Sequence, residues 1–228
     1  MRIVVNHLTR MQPGYICVAG IDPETGAHIR PVLWGRLPAA LLARYGGPFD
    51  IAALVDLASV TQAGEPPEVE DRRFDRQRAH RLTTLSAAEF WRQLQRAAKP
   101  SLSDIFGSAL RQQGRACVTQ PGMGSASLGC LLPASPPTLS LDAQGKPRMD
   151  VTDGVFTVNL SVTDLRLYQG DHVTPDEAVI AWVAERIQAG VGVILSVGLT
   201  RPYPADNPKH WLQVNNIHLA DDPVWRLG

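Results

Sequence analysis

Helix starts are scarce in this chain, whereas strand signals recur between its Gly and Pro turns, and that imbalance limits the folds open to it. The sequence holds 19 Gly and 18 Pro in 228 residues. Two stretches carry a clear helix start. Ser86-Ala-Ala-Glu89 is a capping box whose helix should run to about Ala98, ahead of Pro100. Thr174-Pro-Asp-Glu177 is a second, with an amphipathic stretch from Ala178 to Ile187 that stops at Gly190. A third, shorter helix is expected over Leu37–Tyr45, closed by Gly46-Gly47. Elsewhere the pattern is β. Arg2–Val5, Tyr15–Ile21, Ala27–Leu33, Ile51–Val60 and Leu128–Leu132 read as strands, with Asp22–Gly26 as a hairpin turn. Thr138–Leu141 and Arg148–Val151 flank a second turn, and Val155–Val162, Val191–Leu199 and Trp211–Leu219 follow. A doubly wound parallel sheet needs a helix after nearly every strand, so it is excluded. The expectation is a mainly β chain with a few helices (α+β), folded as two small barrels. The first spans 1–62 and the second 113–228, with a charged, helical connector at 63–112. Within that connector, 61–84 reads as an exposed crossover, and the Gly- and Ser-rich 111–129 reads largely as loop. Trp225 is expected to plug a core edge.

Composition removes several classes. The 22 basic and 22 acidic residues cancel, so no global field draws a polyanion, and any anion site must be local. Residues 1–114 hold 14 basic against 11 acidic residues, and 115–228 hold 8 against 11, which is too small a contrast for a basic domain. Nineteen of the 22 cations are Arg, the side chain that stacks on planar groups and grips phosphate with a fork of donors. Cys17, Cys117 and Cys130 form no CxxC pair, which argues against a disulfide framework or a zinc knuckle. No apolar run reaches the ~18 residues of a membrane span, and the start lacks a signal-peptide pattern. A cytoplasmic location is expected.

The densest polar chemistry lies near the end. SVGLTRP (Ser196–Pro202) is followed by HWLQVNNIHL (His210–Leu219), which sets Arg201, Lys209, His210, Trp211, Gln213 and Asn215 beside a very apolar run. A core strand has no use for so many hydrogen-bonding side chains. His7-Leu8-Thr9-Arg10 echoes Gly198-Leu199-Thr200-Arg201, which suggests two similar units.

LTRMQPGYICVAGIDPETGAHIRPV, SLGCLLP, VTDLRLY, SVGLTRP and HWLQVNNIHL together resemble the bacterial dual OB-containing domain proteins, in order and over nearly the whole chain. The resemblance implies two OB-like barrels side by side and a role in recognising nucleic acid or a nucleotide. It implies no catalytic set.

On an OB-like strand, Trp211 would be a base-stacking platform, with Gln213 and Asn215 on the same side as amides that both donate and accept. Arg201 and Lys209 would meet phosphate. His28 and Arg30 share one side of a hairpin, and Arg10 with Arg201 would make two matched anion contacts. The plainer reading has Trp211 filling a barrel, the amides capping loops and Arg30 ending a strand in water. The run Arg72, Arg73, Arg76, Arg78, His80 and Arg81 is neighboured by Glu65, Glu68, Glu70, Asp71 and Asp75, and reads as a self-neutralising solvated face. His210 and His218 lie about 27 Å apart along a strand, too far to share a metal. No nucleophile motif, Walker lysine or dinucleotide loop is present. Non-catalytic recognition of single-stranded nucleic acid or a nucleotide by OB-like barrels is therefore expected, with no cofactor and no metal. A metal-dependent nuclease or nucleotide-processing enzyme whose acids, Asp164 or Asp221 among them, converge only in three dimensions is one alternative; Asp153, Asp164 and Asp171 share no helical or strand register. A subunit that binds a protein partner is the other.

Overall fold

A computed structural model describes residues 1–225. Eight strands build the first sheet: β1 (Arg2–Arg10), β2 (Tyr15–Ile21), β3 (His28–Val32), β4 (Leu37–Pro38), β5 (Ala53–Asp56), β6 (Val60–Gln62), β7 (Asp71–Phe74) and β8 (His80–Thr84). Their order is β6-β7-β3-β2-β1-β5-β8, with β4 beside β2. Helix α1 (Ala87–Ala97) follows and buries Phe90 and Leu94 in this half's core. Those residues are one turn apart, so one face of the helix carries the contact, at about 1.5–3 kcal/mol for each fully buried side chain.

The second half opens with β9 (Ala98–Lys99), the short helix α2 (Leu102–Phe106), β10 (Arg111–Gln113), β11 (Ala116–Thr119) and β12 (Leu128–Leu131). A separate meander of β13 (Thr138–Leu141), β14 (Pro147–Thr152) and β15 (Thr157–Ser161) comes next. Helix α3 (Glu177–Gln188), β16 (Val193–Leu199) and β17 (His210–Leu219) complete it. The larger sheet here runs β10-β11-β17-β16-β12-β9. Every residue of β16 is buried, as its apolar, β-branched sequence requires. The protein is therefore mainly β with two curled, barrel-like sheets.

Several sequence expectations need correcting. Residues 61–84 are largely exposed from Asp75 onward, as expected, but they are not an unpaired crossover: β7 pairs in parallel with β3, setting Arg30 opposite Asp71, and β8 pairs with β5. The connector thus supplies strands to the first sheet. The 111–129 stretch contains β10 and β11 as well as loop. Leu37–Tyr45 is a two-residue strand and two 3-10 turns, ended by Gly46 in the left-handed region at φ 86°. Ile51–Val60 breaks into two strands at Ala58, whose φ is 57°. The cap of α3 is Asp176, which accepts from the Val179 amide, not Thr174. Trp225 is buried as expected and donates to the Ile217 carbonyl at 3.0 Å.

The two halves meet along a polar seam between β1 and β17. The Asn216 side chain pairs with the backbone of Leu8, accepting from its N–H at 2.7 Å and donating to its carbonyl at 3.3 Å. Residues 162–164 splint the same gap. Arg10 N–H donates to Thr163 O and Thr163 N–H donates to Val214 O, while Asp164 accepts from Ile217 N–H at 2.9 Å. Each side of the seam carries a bulge, and an asparagine is the extra residue in both. Asn6 is skipped between the pairs Val5↔Gly20 and His7↔Ala19, and Asn215 between Ser196↔Asn216 and Val197↔Val214. A bulge re-aims its side chain. Asn6 reaches Ser196 Oγ at 3.0 Å and Cys130 Sγ at 3.2 Å, and Asn215 reaches His7 Nδ1 at 3.0 Å.

Candidate functional site

A cleft of about 530 Å³ opens where the two sheets meet, and both LTR segments line it. Thr9 and Arg10 come from β1; Thr200 and Arg201 come from the turn after β16. β2 adds Cys17, β3 adds Arg30, and β17 adds Gln213 and Asn215. The volume falls in the range of small-molecule sites, roughly 300–1,000 Å³. Of the eight residues expected to bind a ligand, Arg10, Arg30, Arg201, Gln213 and Asn215 come together here. Lys209, His210 and Trp211 lie outside the lining. Lys209 Nζ donates to Gln113 at 2.9 Å. His210 is buried, its ring bonded to Thr200 O at 2.8 Å. Trp211 donates its indole N–H to Tyr203 O at 3.0 Å and packs near the Tyr203 ring, which itself borders the cleft.

The arginines differ sharply. Arg30 is 4% exposed, and its Nε lies 2.5 Å from Asp71. Arg201 bonds Glu68 at 2.6 Å and Asp71 at 2.7 Å. Two guanidiniums and two carboxylates therefore form a compact, neutral cluster that ties β3 and β7 to the turn after β16. Glu68, Glu70 and Asp71 of the charged run look across the molecule, whereas Asp75 caps its own turn through the Gln77 amide. Neither Arg30 nor Arg201 is free for phosphate. Arg10 is different. It sits 4.5 Å over the Tyr168 ring, its buried Nε has no hydrogen-bond partner, and among the described residues no carboxylate lies within 4.0 Å of it. Arg36, exposed at the cleft's edge and 5.6 Å from the Tyr15 ring, is likewise without a carboxylate.

Three polar side chains of the lining form a directed chain. Gln213 Nε2 donates to Asn215 Oδ1 at 2.9 Å, which leaves the Asn215 nitrogen to donate to His7 Nδ1. That places the ring proton of His7 on Nε2, which has no partner. Burial, reinforced by the neighbouring His28, His218 and Arg30, holds the His7 pKa well below its usual value, so the ring is neutral. Gly198 makes room for this chain: a Cβ there would meet Asn215 Nδ2 at 2.4 Å.

Behind the cleft lies a buried polar group of Asn6, Cys130, Ser196 and His218. Ser196 Oγ is 2.9 Å from His218 Nε2. This resembles a nucleophile beside a base, but Ser196 and His218 are both 0% exposed and no substrate reaches them. Burial pushes the Cys130 thiol up to about 12 and lowers His218 to about 3, so both are neutral. Among the described residues, no group of three or more His, Cys, Asp or Glu is placed to hold a metal ion. Asp164 is occupied by Arg166 and the Ile217 amide, Asp153 by the Leu102, Val155 and Phe156 amides, and Asp221 by Arg186.

Sequence reasoning missed His7, Tyr203 and Arg36 as cleft residues. His7 stood in the quoted HLTR echo, which was the available signal. Among the described residues no helix is long and apolar enough to cross a membrane. The chain matches no protein-family model, and neither a curated protein nor a solved structure gives a match.

Proposed function

We propose that the two curled sheets are OB-like barrels and that the cleft between them binds a nucleotide, free or presented by single-stranded nucleic acid, in the cytoplasm and without catalysis. The observation that carries this reading is the mixed lining of the cleft. It holds a guanidinium, Arg10, that has no carboxylate within 4.0 Å among the described residues and is suited to phosphate. It also holds the Gln213–Asn215–His7 chain, suited to the donors and acceptors of a base edge. Tyr203 at the border adds an aromatic face. The placement of Arg30 and Arg201 weakens the earlier picture of matched phosphate contacts and leaves Arg10 as the main cation.

The test is a titration with fluorescent mononucleotides and with short single-stranded DNA and RNA at several salt concentrations. Saturable binding that weakens with salt is expected. Arg10→Ala should remove about 0.7 from the log–log salt slope for a single strand. Flat traces for every ligand at low salt would reject the reading.

A further inference from the structure

Trp34 is 88% exposed, by far the most exposed tryptophan among the described residues. It stands in the turn between β3 and β4, and its neighbours Leu33, Gly35 and Arg36 line the cleft while Trp34 itself does not. One face of the indole is covered: the Arg73 guanidinium lies 3.5 Å from the ring centroid. Among the described residues neither Arg73 nor Arg36 has a carboxylate within 4.0 Å. The pairing of β7 with β3 sets Arg73 opposite Val32, so the sheet itself carries the guanidinium to the ring. At this exposure the other face of the ring is open. An indole held flat by a cation on one side and bare on the other is a stacking platform, and its apolar surface is otherwise left in water.

Resting on the nucleotide reading of the cleft, we infer that its physiological ligand is a single-stranded polynucleotide, with one nucleotide in the cleft and an adjacent base stacked on the open face of Trp34. The cleft has room for one small ligand. A base on Trp34 lies outside it and is joined to the first only through the sugar-phosphate backbone. Arg36 follows Trp34 by two residues, is exposed and lines the cleft, so it is available to that backbone. Stacking is tolerant of sequence because every base has a planar face, whereas the polar wall of the cleft is not.

The test compares AMP, UMP and 3′-fluorescein-labelled hexamers of single-stranded DNA and RNA on wild type, Trp34→Ala, Trp34→Phe and Arg36→Ala. Trp34→Ala should weaken hexamer binding about 5- to 150-fold, with mononucleotide affinity unchanged within twofold. Trp34→Phe should recover much of the loss. Arg36→Ala should lower the hexamer salt slope by about 0.7, whereas Trp34→Ala should leave that slope as it was. The side chain is exposed, so the melting temperature of Trp34→Ala should match wild type. Mononucleotide binding with no gain for the hexamer, or a Trp34→Ala effect equal for both ligands, would overturn the inference and leave the cleft reading standing. No binding of any ligand would sink both. A dimeric wild type that becomes monomeric on Trp34→Ala in size-exclusion chromatography would assign the ring to self-association and overturn it too.

Discussion

Thr9-Arg10 and Thr200-Arg201 are the same dipeptide at the ends of two comparable strands, yet their arginines have opposite fates. Arg201 is held by Glu68 and Asp71, in a cluster that also holds Arg30. Arg10 has an aromatic ring beneath it and, among the described residues, no carboxylate within 4.0 Å. One repeat has become a fastening between sheets, and the other has kept an unneutralised charge facing a cleft. The difference lies outside the repeat: β7 and the residues just before it bring Asp71 and Glu68 to Arg201, and among the described residues no carboxylate comes within 4.0 Å of Arg10. A motif of this kind therefore says where a side chain will stand and leaves open what it will do.

The sharpest way to break the contrast is Asp71→Asn. It strips the nearest partner from Arg30, whose side chain is 5% exposed, and leaves two guanidiniums sharing the single carboxylate of Glu68, 3.8 Å from Arg30. A loss of about 3–5 kcal/mol in denaturant unfolding is expected. A loss below 1 kcal/mol would mean that the cluster is not the fastening described. Acidification probes the seam between the two repeats. Buried His218, lowered to about 3, cannot accept the proton that the unfolded chain takes up near pH 6.5. Its contribution is therefore complete above 6.5 and declines as pH falls toward the folded value, at up to about 1.4 kcal/mol per pH unit. Unfolding midpoints measured at pH 7, 6 and 5 should fall steadily, and a flat series would contradict a buried neutral ring. Gly198→Ala sharpens the comparison from the polar chain by pushing Asn215 off His7. It should cost about 1–3 kcal/mol by overpacking and weaken nucleotide binding, whereas a neutral effect on both would remove the amide chain from the site. The smallest effects separate the two arginines. Arg201→Ala should cost about 1 kcal/mol, since its side chain is 52% exposed, and leave the salt slope of binding unchanged. Arg10→Ala should cost about 0.5–1 kcal/mol through its lost contact with Tyr168 and lower the slope. Equal slopes in the two variants would erase the distinction.

Some local signals were legible in this sequence, and distant ones were not. Tyr15–Ile21 and the Ser86 capping box were legible because a turn or a cap fixes them within a few residues. Strand β7, reading DRRF, carries no alternating apolar face. It is a strand because β3 pairs with it and because Arg30 and Arg201 neutralise its first residue. For the same reason the charged run was misread: its acids were assigned to the arginines beside them, although their partners are about 40 and 130 positions away. Gln213 and Asn215 were found through alternation along one strand. His7 was not, because a single bulge at Asn6 decides where it stands relative to Asn215. Trp34 could have been flagged as an aromatic between turn residues, but only β7 supplies the cation that holds its ring.

The Asn216 clamp also sets a schedule. Leu8 gains its backbone partners from a side chain 208 positions later, so at the ribosome β1 stays incompletely dressed along one edge until almost the whole chain has emerged. A nascent first half would carry that open strand edge until Asn216 has left the ribosome.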